Sequence, residues 1–287
     1  MVLRPIYGLK QSNNIFDKAL RDVFLSLKYT STFDNPSIFV KVNPDNPHQR
    51  CTVSMHVDDG LGVCTHTPYR DELLTALTSR FGPLTYNAES TSYTGTSLCR
   101  HPTGAVTLSM EGYIRRFITG LGLQDIAPAS SPSTADLFHP SQDTTPVSIP
   151  LYQHIIGCFI HCLKIGHHIR KEVTFLAGKT SKPTMDDLRK CIRVIRFLNQ
   201  HPTLGPTYFT TDGPILYGWV DASYGVHTDA RSQSGSFLSI GRNSAPFASH
   251  TGTQRTCVST NSMEAEYVAL TGLGKSIVSY RRFLNDI

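Results

Sequence analysis

The feature that most constrains the fold is a pair of adjacent acids, Asp58 and Asp59, set between two β-like runs. Upstream, residues 53–57 alternate apolar and polar side chains, which is the period of a half-buried strand. Downstream, residues 61–64 form a second short run that is largely apolar. The Asp-Gly step at Gly60 between such runs predicts a β-hairpin, because glycine tolerates positive φ.

Two carboxylates at a hairpin tip repel each other unless a cation lies beside them. A divalent metal with oxygen ligands is the usual partner of such a pair. The alternative is a solvated Asp-Asp-Gly turn without chemistry, which is the more common meaning of an isolated match. The sequence at this point leaves both interpretations open.

Periodicity predicts a mixed α+β fold. Apolar residues at helical spacing predict helices, and alternating or continuous apolar runs predict strands. The predicted helices are residues 12–28, 71–81, 152–164 and 185–199, with another that starts near Asn261, and the predicted strands are residues 38–42, 216–220, 235–240 and one from 245. A Ser-, Thr- and Pro-rich stretch, residues 128–150, is interpreted as a surface connection.

Composition favours an intracellular protein, cytoplasmic or nuclear and not secreted. The chain has 287 residues, 39% apolar content and a net charge of +5, which suits a polyanionic partner without requiring one. No apolar stretch approaches membrane-spanning length, so no membrane is expected as a partner. The seven cysteines show no disulfide-like spacing and are expected to be free buried thiols.

The first half of the chain resembles reverse transcriptases. Residues 56–59 resemble the Tyr-Val-Asp-Asp motif, with His56 in place of the tyrosine, and residues 6–12 resemble the segment near template and nucleotide, with Lys10 and Gln11 as its proximal residues. Further matches follow in order through Phe81-Gly82-Pro83-Leu84, Leu108-Ser109, Tyr113-Ile114, Tyr152, Gly157, Arg170, Pro183 and residues 193–198. Together they are similar to copia-type (Ty1-like) retrotransposon polyproteins.

The last part of the chain resembles the ribonuclease H domain that follows the polymerase in that family. The matching segments are residues 221–223, 231–235 and 264–267. The implied organisation is a partial reverse-transcriptase palm in 1–127, the connection 128–150, a helical connection in 151–205 and a truncated ribonuclease H-like domain in 206–287.

The resemblance implies RNA-directed DNA synthesis and hydrolysis of RNA in RNA-DNA hybrids, with Mg²⁺ as cofactor and Mn²⁺ as its alternative. RNA, DNA, their hybrid and other polyprotein segments are the implied partners. It assigns catalytic and metal-binding roles to Asp58, Asp59, Asp221 and Glu266. Both sites are expected to be incomplete, because the family's third polymerase aspartate precedes the 6–12 segment and its next ribonuclease H aspartate follows a later strand. We therefore expect weak metal binding and an inactive fragment; the alternative is a decayed, non-catalytic remnant that binds nucleic acid.

Helix geometry separates the two glutamates of the last motif. Residues two apart on a helix point about 200° away from each other, so Glu264 and Glu266 cannot face one site together. Glu266 lies three residues after Met263 and four before Leu270, on an apolar stripe expected to pack on the sheet. This predicts that Glu266 approaches Asp221 and that Glu264 turns away.

Four basic residues fall on one predicted helix: Arg189, Lys190, Arg193 and Arg196. Cationic side chains in such a row contact phosphate backbones without reading sequence. A solvated helix face explains the same pattern equally well, and both interpretations remain open at this point.

Overall fold

A computed structural model describes residues 12–89, 91–209 and 215–287. Lys10 and Gln11, which the resemblance places near template and nucleotide, lie outside the described residues. The described chain mixes seven α-helices with antiparallel sheets, and its contacts divide into two units, residues 1–94 with 278–287 and residues 95–277. Of the described helices, none combines the length and apolar character needed to cross a bilayer.

The first unit is built around a four-stranded antiparallel sheet in the order β1-β2-β3-β4. Its elements are α1 (Ser12–Ser26), β1 (Thr30–Ser31), β2 (Ile38–Asn43), β3 (Asn46–His56), β4 (Asp59–Cys64), α2 (Thr67–Phe81) and β5 (Ser92–Tyr93). The predicted first helix and first strand are confirmed. The second helix begins at Thr67 rather than at Asp71, because Pro68 in its first turn supplies the helical φ.

The core of the first unit lies between the two helices and the sheet. Phe24 of α1 stacks on Phe39 of β2, with ring centroids 4.0 Å apart, and Tyr29 meets Phe24 edge-on. Leu73 of α2 and Val53 of β3 complete this buried cluster. The amphipathic stripes seen in the sequence therefore bury their apolar sides against one face of the sheet.

Two of the seven cysteines contradict the expectation of free thiols. Cys51 of β3 and Cys64 of β4 are register partners and form a disulfide across the hairpin, with 4.1 Å between their Cα atoms. Spacing along the chain did not reveal this pair, because the hairpin register brings the two residues together. The remaining five cysteines are free.

The second unit contains a helical part, an antiparallel ladder of three short strands and a separate three-stranded sheet. Its elements are β6 (Thr96–Arg100), β7 (Val106–Ser109), α3 (Glu111–Gly120), α4 (Ile149–Cys162), a 3₁₀ turn (His167–Ile169), α5 (Arg170–Ala177), α6 (Met185–Gln200), β8 (Thr207–Tyr208), β9 (Leu216–Ser223), β10 (Gln233–Ile240), β11 (Ala248–Thr253) and most of α7 (Ser262–Asp286). The predicted helices α4 and α6 and the predicted strands β9 to β11 are confirmed within a few residues. The short helix α5 was not predicted.

Helices α3 to α6 share one buried core, in which Tyr152, Phe159 and Ile195 are almost fully enclosed. Helix α6 starts with a capping box. The Thr184 side chain accepts from the Asp187 backbone N–H, and the Asp187 carboxylate accepts from the Thr184 backbone N–H at 2.9 Å. Both reciprocal bonds satisfy amides that a helix start otherwise leaves unpaired.

The three-stranded sheet has the order β11-β10-β9 and packs one face against α7. A Cβ on Gly218 of β9 would lie 3.2 Å from Leu273 and 3.3 Å from Ile277, both on α7. Helix and strand therefore approach closely where glycine has no side chain. The buried stripe of α7 consists of Ala265, Ala269 and Leu273.

That stripe contradicts the predicted helix phase. Met263 and Leu270, which were expected to pack on the sheet, are 67% and 50% exposed. The buried side of α7 runs instead through Ala265, Ala269 and Leu273, at i, i+4 and i+8, and Leu273 is the member that packs on Gly218. Tertiary packing therefore overrides the apolar spacing of the sequence.

Candidate active site

The hairpin that carries the first acid pair is present, but its turn lies earlier than predicted. His56 and Asp59 are register partners, so Val57 and Asp58 form the two-residue turn and Asp59 opens β4. Gly60 is not in the turn; it lies within β4 opposite Met55. Both carboxylates are exposed at the tip. The Asp-Gly step therefore predicted the hairpin correctly but the position of its turn incorrectly.

Val57 adopts the backbone conformation that a hairpin turn of this length needs, with φ at 58°. A β-branched residue at positive φ is a rare outlier that costs on the order of 1–3 kcal/mol. Such strain persists only where the surrounding ladder imposes it, here by continuous pairing from Cys51 to His56. Strained backbone of this kind occurs preferentially at functional sites.

The second acid pair is assembled from a strand and a helix. Asp221 lies in β9 opposite Gly235 of β10, without a register shift. Because side chains alternate along a strand, Asp221 lies on the face opposite that of Gly218, and Gly218 faces α7. The Asp221 side chain therefore lies on the sheet face away from α7.

The two glutamates of α7 have different partners. The Glu266 carboxylate accepts a hydrogen bond from the Ala222 backbone N–H at 3.2 Å, one residue beyond Asp221. The Glu264 carboxylate instead accepts from the backbone and hydroxyl of Thr260, and these bonds lower its pKa. Glu266 thus reaches the strand edge and Glu264 belongs to the helix start, where the Asn261 side chain accepts from the Glu264 N–H at 2.9 Å.

Mg²⁺ uses one or two carboxylates together with water and substrate phosphates. The exposed pair Asp58 and Asp59 fits that donor set, because adjacent residues at a turn can turn their carboxylates toward one ion. Glu266 reaches the open edge of β9 at the Ala222 N–H, one residue beyond Asp221, so this pair offers two carboxylates near one end of the strand. Among the described residues, no group of three or more His, Cys, Asp and Glu side chains is placed to hold a metal.

The four basic side chains of α6 all bind groups within the chain. Arg196 donates to the backbone oxygens of Ala127 and Pro128, and Arg193 donates to the Ser131 hydroxyl. Lys190 donates to the backbone oxygen of His139, and Arg189 pairs with Asp143 at 2.9 Å. These contacts hold the 128–150 connection against the helix. This structural use corresponds to neither of the two interpretations left open by the sequence. The connection is mostly exposed, as predicted, yet Ala129 and Leu137 anchor it by burial.

A large cavity in the second unit was not predicted. It has a volume of about 1000 Å³ and lies between the 3₁₀ turn with the start of α5 and the β9–β10 face that carries Asp221. Burial and the neighbouring Arg170 and His168 lower the pKa of His167, in its wall, to about 4. The alternation of Tyr217 and Trp219 in β9 indicates an aromatic strand face, which is one wall of the cavity. The sequence does not reveal the other wall, because only folding brings the two segments together.

The chain is distantly similar to a curated retrotransposon protein. It is 24% identical over 303 aligned residues to the Retrovirus-related Pol polyprotein from transposon TNT 1-94 of Nicotiana tabacum, and the match covers 99% of this chain. The chain spans 22% of the length of that relative. No family model matches the chain. This distant similarity along nearly the whole sequence supports an origin in a retrotransposon polyprotein.

Proposed function

We propose that the chain is a segment of a retrotransposon polyprotein that comprises the C-terminal part of a reverse-transcriptase palm and part of a ribonuclease H domain. Its parent activities are RNA-directed DNA synthesis and hydrolysis of RNA in hybrids, and the isolated chain is inactive in both. The observation that carries the proposal is the exposed Asp58–Asp59 pair at the tip of a strained hairpin. Similarity to the tobacco transposon polyprotein along the chain supports it.

Carboxylate number supports the inactivity. Two-metal phosphoryl transfer needs several carboxylates that clamp both ions around the attacking and leaving oxygens. The hairpin contributes two, Asp58 and Asp59, and β9 with α7 contributes two more, Asp221 and Glu266. When Mg²⁺ is bound, it supplies charge stabilisation for the transferred phosphate. Asp58 and Asp59 would hold it at the first site, and Asp221 and Glu266 at the second.

A primer-extension assay on a primed RNA template tests the inactivity at the first site. We expect no extension with Mg²⁺ or Mn²⁺. The control carries Asp58→Asn and Asp59→Asn together. Extension by the parent chain that disappears in this control would contradict the proposed inactivity.

Mn²⁺ binding, followed by proton relaxation enhancement of water, tests the assignment of the acid pair. We expect weak binding that is lost in the Asp58→Asn/Asp59→Asn variant. Asp45 provides a matched control, because it lies in the other tight hairpin turn of the same sheet and is also exposed. Equal loss on Asp45→Asn, or no loss in the double variant, would contradict a metal-binding role of Asp58 and Asp59.

A second candidate is a non-catalytic remnant that binds nucleic acid. The number of carboxylates favours it for the ribonuclease H part, because Asp221 and Glu266 are only two of the several that a two-metal site needs. Hybrid binding without cleavage, unaffected by Glu266→Gln, is the result that favours this candidate.

A further inference from the structure

The cavity of the second unit has two chemically different walls. One wall is the face of β9 and β10 that points away from α7, and the other is formed by the 3₁₀ turn with the start of α5. Its volume of about 1000 Å³ is at the upper end of the range for ligand pockets. All described lining residues belong to the second unit.

The sheet wall carries a ladder of aromatic rings. Tyr217 and Trp219 are near-parallel, with centroids 5.8 Å apart, and Trp219 stacks on Phe237 at 4.7 Å with 17° between the ring planes. Trp219 and Phe237 are direct cross-strand partners, so the β9–β10 register fixes the stack. Phe237 is 39% exposed and lines the cavity. An exposed ring at the end of a fixed stack is a platform for another planar group.

The opposite wall carries positive charge. Arg170 and Lys171 both line the cavity. The Lys171 side chain is 53% exposed. Its ion-pair partner, the buried Glu172, lies 3.6 Å away and already accepts a hydrogen bond from Ser133. Asp221, on the sheet wall, is the one carboxylate among the described residues of the lining. An anionic group therefore finds its partners on the α5 side.

We propose that this cavity binds a single-stranded segment of nucleic acid, with an unpaired base stacked on Phe237 and its neighbouring phosphate at Lys171. An aromatic platform facing cations provides the two contacts that single strands use, stacking of bases and neutralisation of the backbone. A paired base inside a duplex has both faces covered by its neighbours, so the platform selects unpaired bases. The contacts lie on the sheet face opposite α7 and do not require Glu266 or a metal.

The inference rests on the proposed function for the class of its partner, and one experiment separates the two. Fluorescence anisotropy is measured with a labelled oligothymidylate of about eight nucleotides, within the site size of single-strand-binding folds, and with a labelled RNA-DNA hybrid. Binding of the hybrid without binding of the single strand overturns this inference alone. Binding of neither overturns this inference and also contradicts the nucleic-acid-binding remnant.

Intrinsic fluorescence locates the bound strand. Trp219 is the single tryptophan of the chain and belongs to the aromatic ladder, so its emission reports on this cavity. We expect saturable quenching by the unlabelled oligothymidylate, with the same midpoint as the anisotropy titration. Binding without any change in Trp219 emission places the strand elsewhere and overturns the inference. Equally tight quenching by thymidine monophosphate indicates a small-molecule pocket and also overturns it.

Matched substitutions test the two contacts. Phe237→Leu keeps an apolar side chain and removes the ring, and we expect a loss of affinity of roughly tenfold, as for other base-stacking aromatics. Tyr267→Leu on the exposed side of α7 is the control and leaves affinity unchanged. Lys171→Gln should make the negative slope of log affinity against log salt shallower by about 0.7, as expected for one lost phosphate contact. Lys275→Gln on α7 is the control and should leave the slope unchanged. Equal effects of either substitution and its control contradict the proposal.

Discussion

The two acid pairs of this molecule are built in different ways. Asp58 and Asp59 are neighbours in sequence, and one hairpin with continuous local pairing presents both. Asp221 and Glu266 come from a strand and a helix 45 residues apart, and their placement depends on how closely α7 packs on Gly218. The first pair is therefore a local property of the chain, whereas the second depends on tertiary packing, which determines which side chains converge.

The disulfide between Cys51 and Cys64 gives the largest expected effect and tests whether the hairpin is locally fixed. It closes a loop with a sequence separation of 13, and a cross-link of this size contributes about 3 kcal/mol. We expect a reductant to lower the urea midpoint of the parent chain. The Cys51→Ala/Cys64→Ala variant should show no response to reductant. Titration of seven free thiols in the native chain would contradict this account of the hairpin.

The close approach of β9 and α7 is tested by Gly218→Val. The Cβ of the new side chain would lie 3.2 Å from Leu273 and 3.3 Å from both Ile277 and Leu238. Overpacking of this kind costs about 2 kcal/mol. Gly235→Val is the matched control in the same sheet, because the nearest atom to its Cβ is 4.0 Å away. Thermal denaturation measures both. Equal destabilisation by the two substitutions would show that the helix–sheet contact is looser than described.

Strain in the hairpin turn gives a smaller, stabilising effect. Asparagine tolerates positive φ better than valine, so Val57→Asn should stabilise the chain by roughly 1 kcal/mol. Val63→Asn is the comparison, since Val63 lies in β4 and is 71% exposed without such a backbone conformation. A urea titration should show a gain for the first variant alone. A loss of stability on Val57→Asn would contradict the strain.

Protonation of His167 gives an effect on stability that appears only at acidic pH. Its pKa is about 4 in the folded chain, against an ordinary value of 6.5, because of burial first and then the neighbouring Arg170 and His168. Its Nδ1 lies 2.7 Å from the Ser249 hydroxyl. The folded state therefore favours the neutral ring, and this contribution to stability is complete above pH 6.5 and is lost as the pH falls toward 4.

The measurement compares melting temperatures at pH 6.5 and pH 4 for the parent and for His167→Asn. The parent should lose more on acidification than the variant, because carboxylates titrate equally in both. An identical pH dependence would contradict the burial of His167 in the cavity wall.

The difference between the two regions also explains how much could be predicted from the sequence. The hairpin, the helices α1, α4 and α6 and the strands β9 to β11 follow from local periodicity and turn residues. The turn position differed because the cross-strand register placed positive φ on Val57 rather than on Gly60. The disulfide depended on that same register, and the cavity on two segments distant in sequence. None of these has a signature within a short window of sequence.

The helix phase of α7 shows the same limit at the candidate site. Spacing of Met263 and Leu270 predicted the wrong packed stripe, although Glu266 does reach the backbone of β9. The buried stripe runs instead through Ala265, Ala269 and Leu273, and Leu273 packs on Gly218. The residue types at the site could be predicted from the sequence, but the faces on which they lie could not.

Cleavage of an RNA-DNA hybrid by the isolated chain tests the central claim most directly. The account predicts no cleavage with Mg²⁺ or Mn²⁺ above that of an Asp221→Asn/Glu266→Gln control, because Asp221 and Glu266 supply only two of the several carboxylates that a two-metal site needs. Cleavage at an ordinary enzymatic rate, abolished by Glu266→Gln and retained in Glu264→Gln, would contradict it, since Asp221 and Glu266 would then act together at one complete metal site.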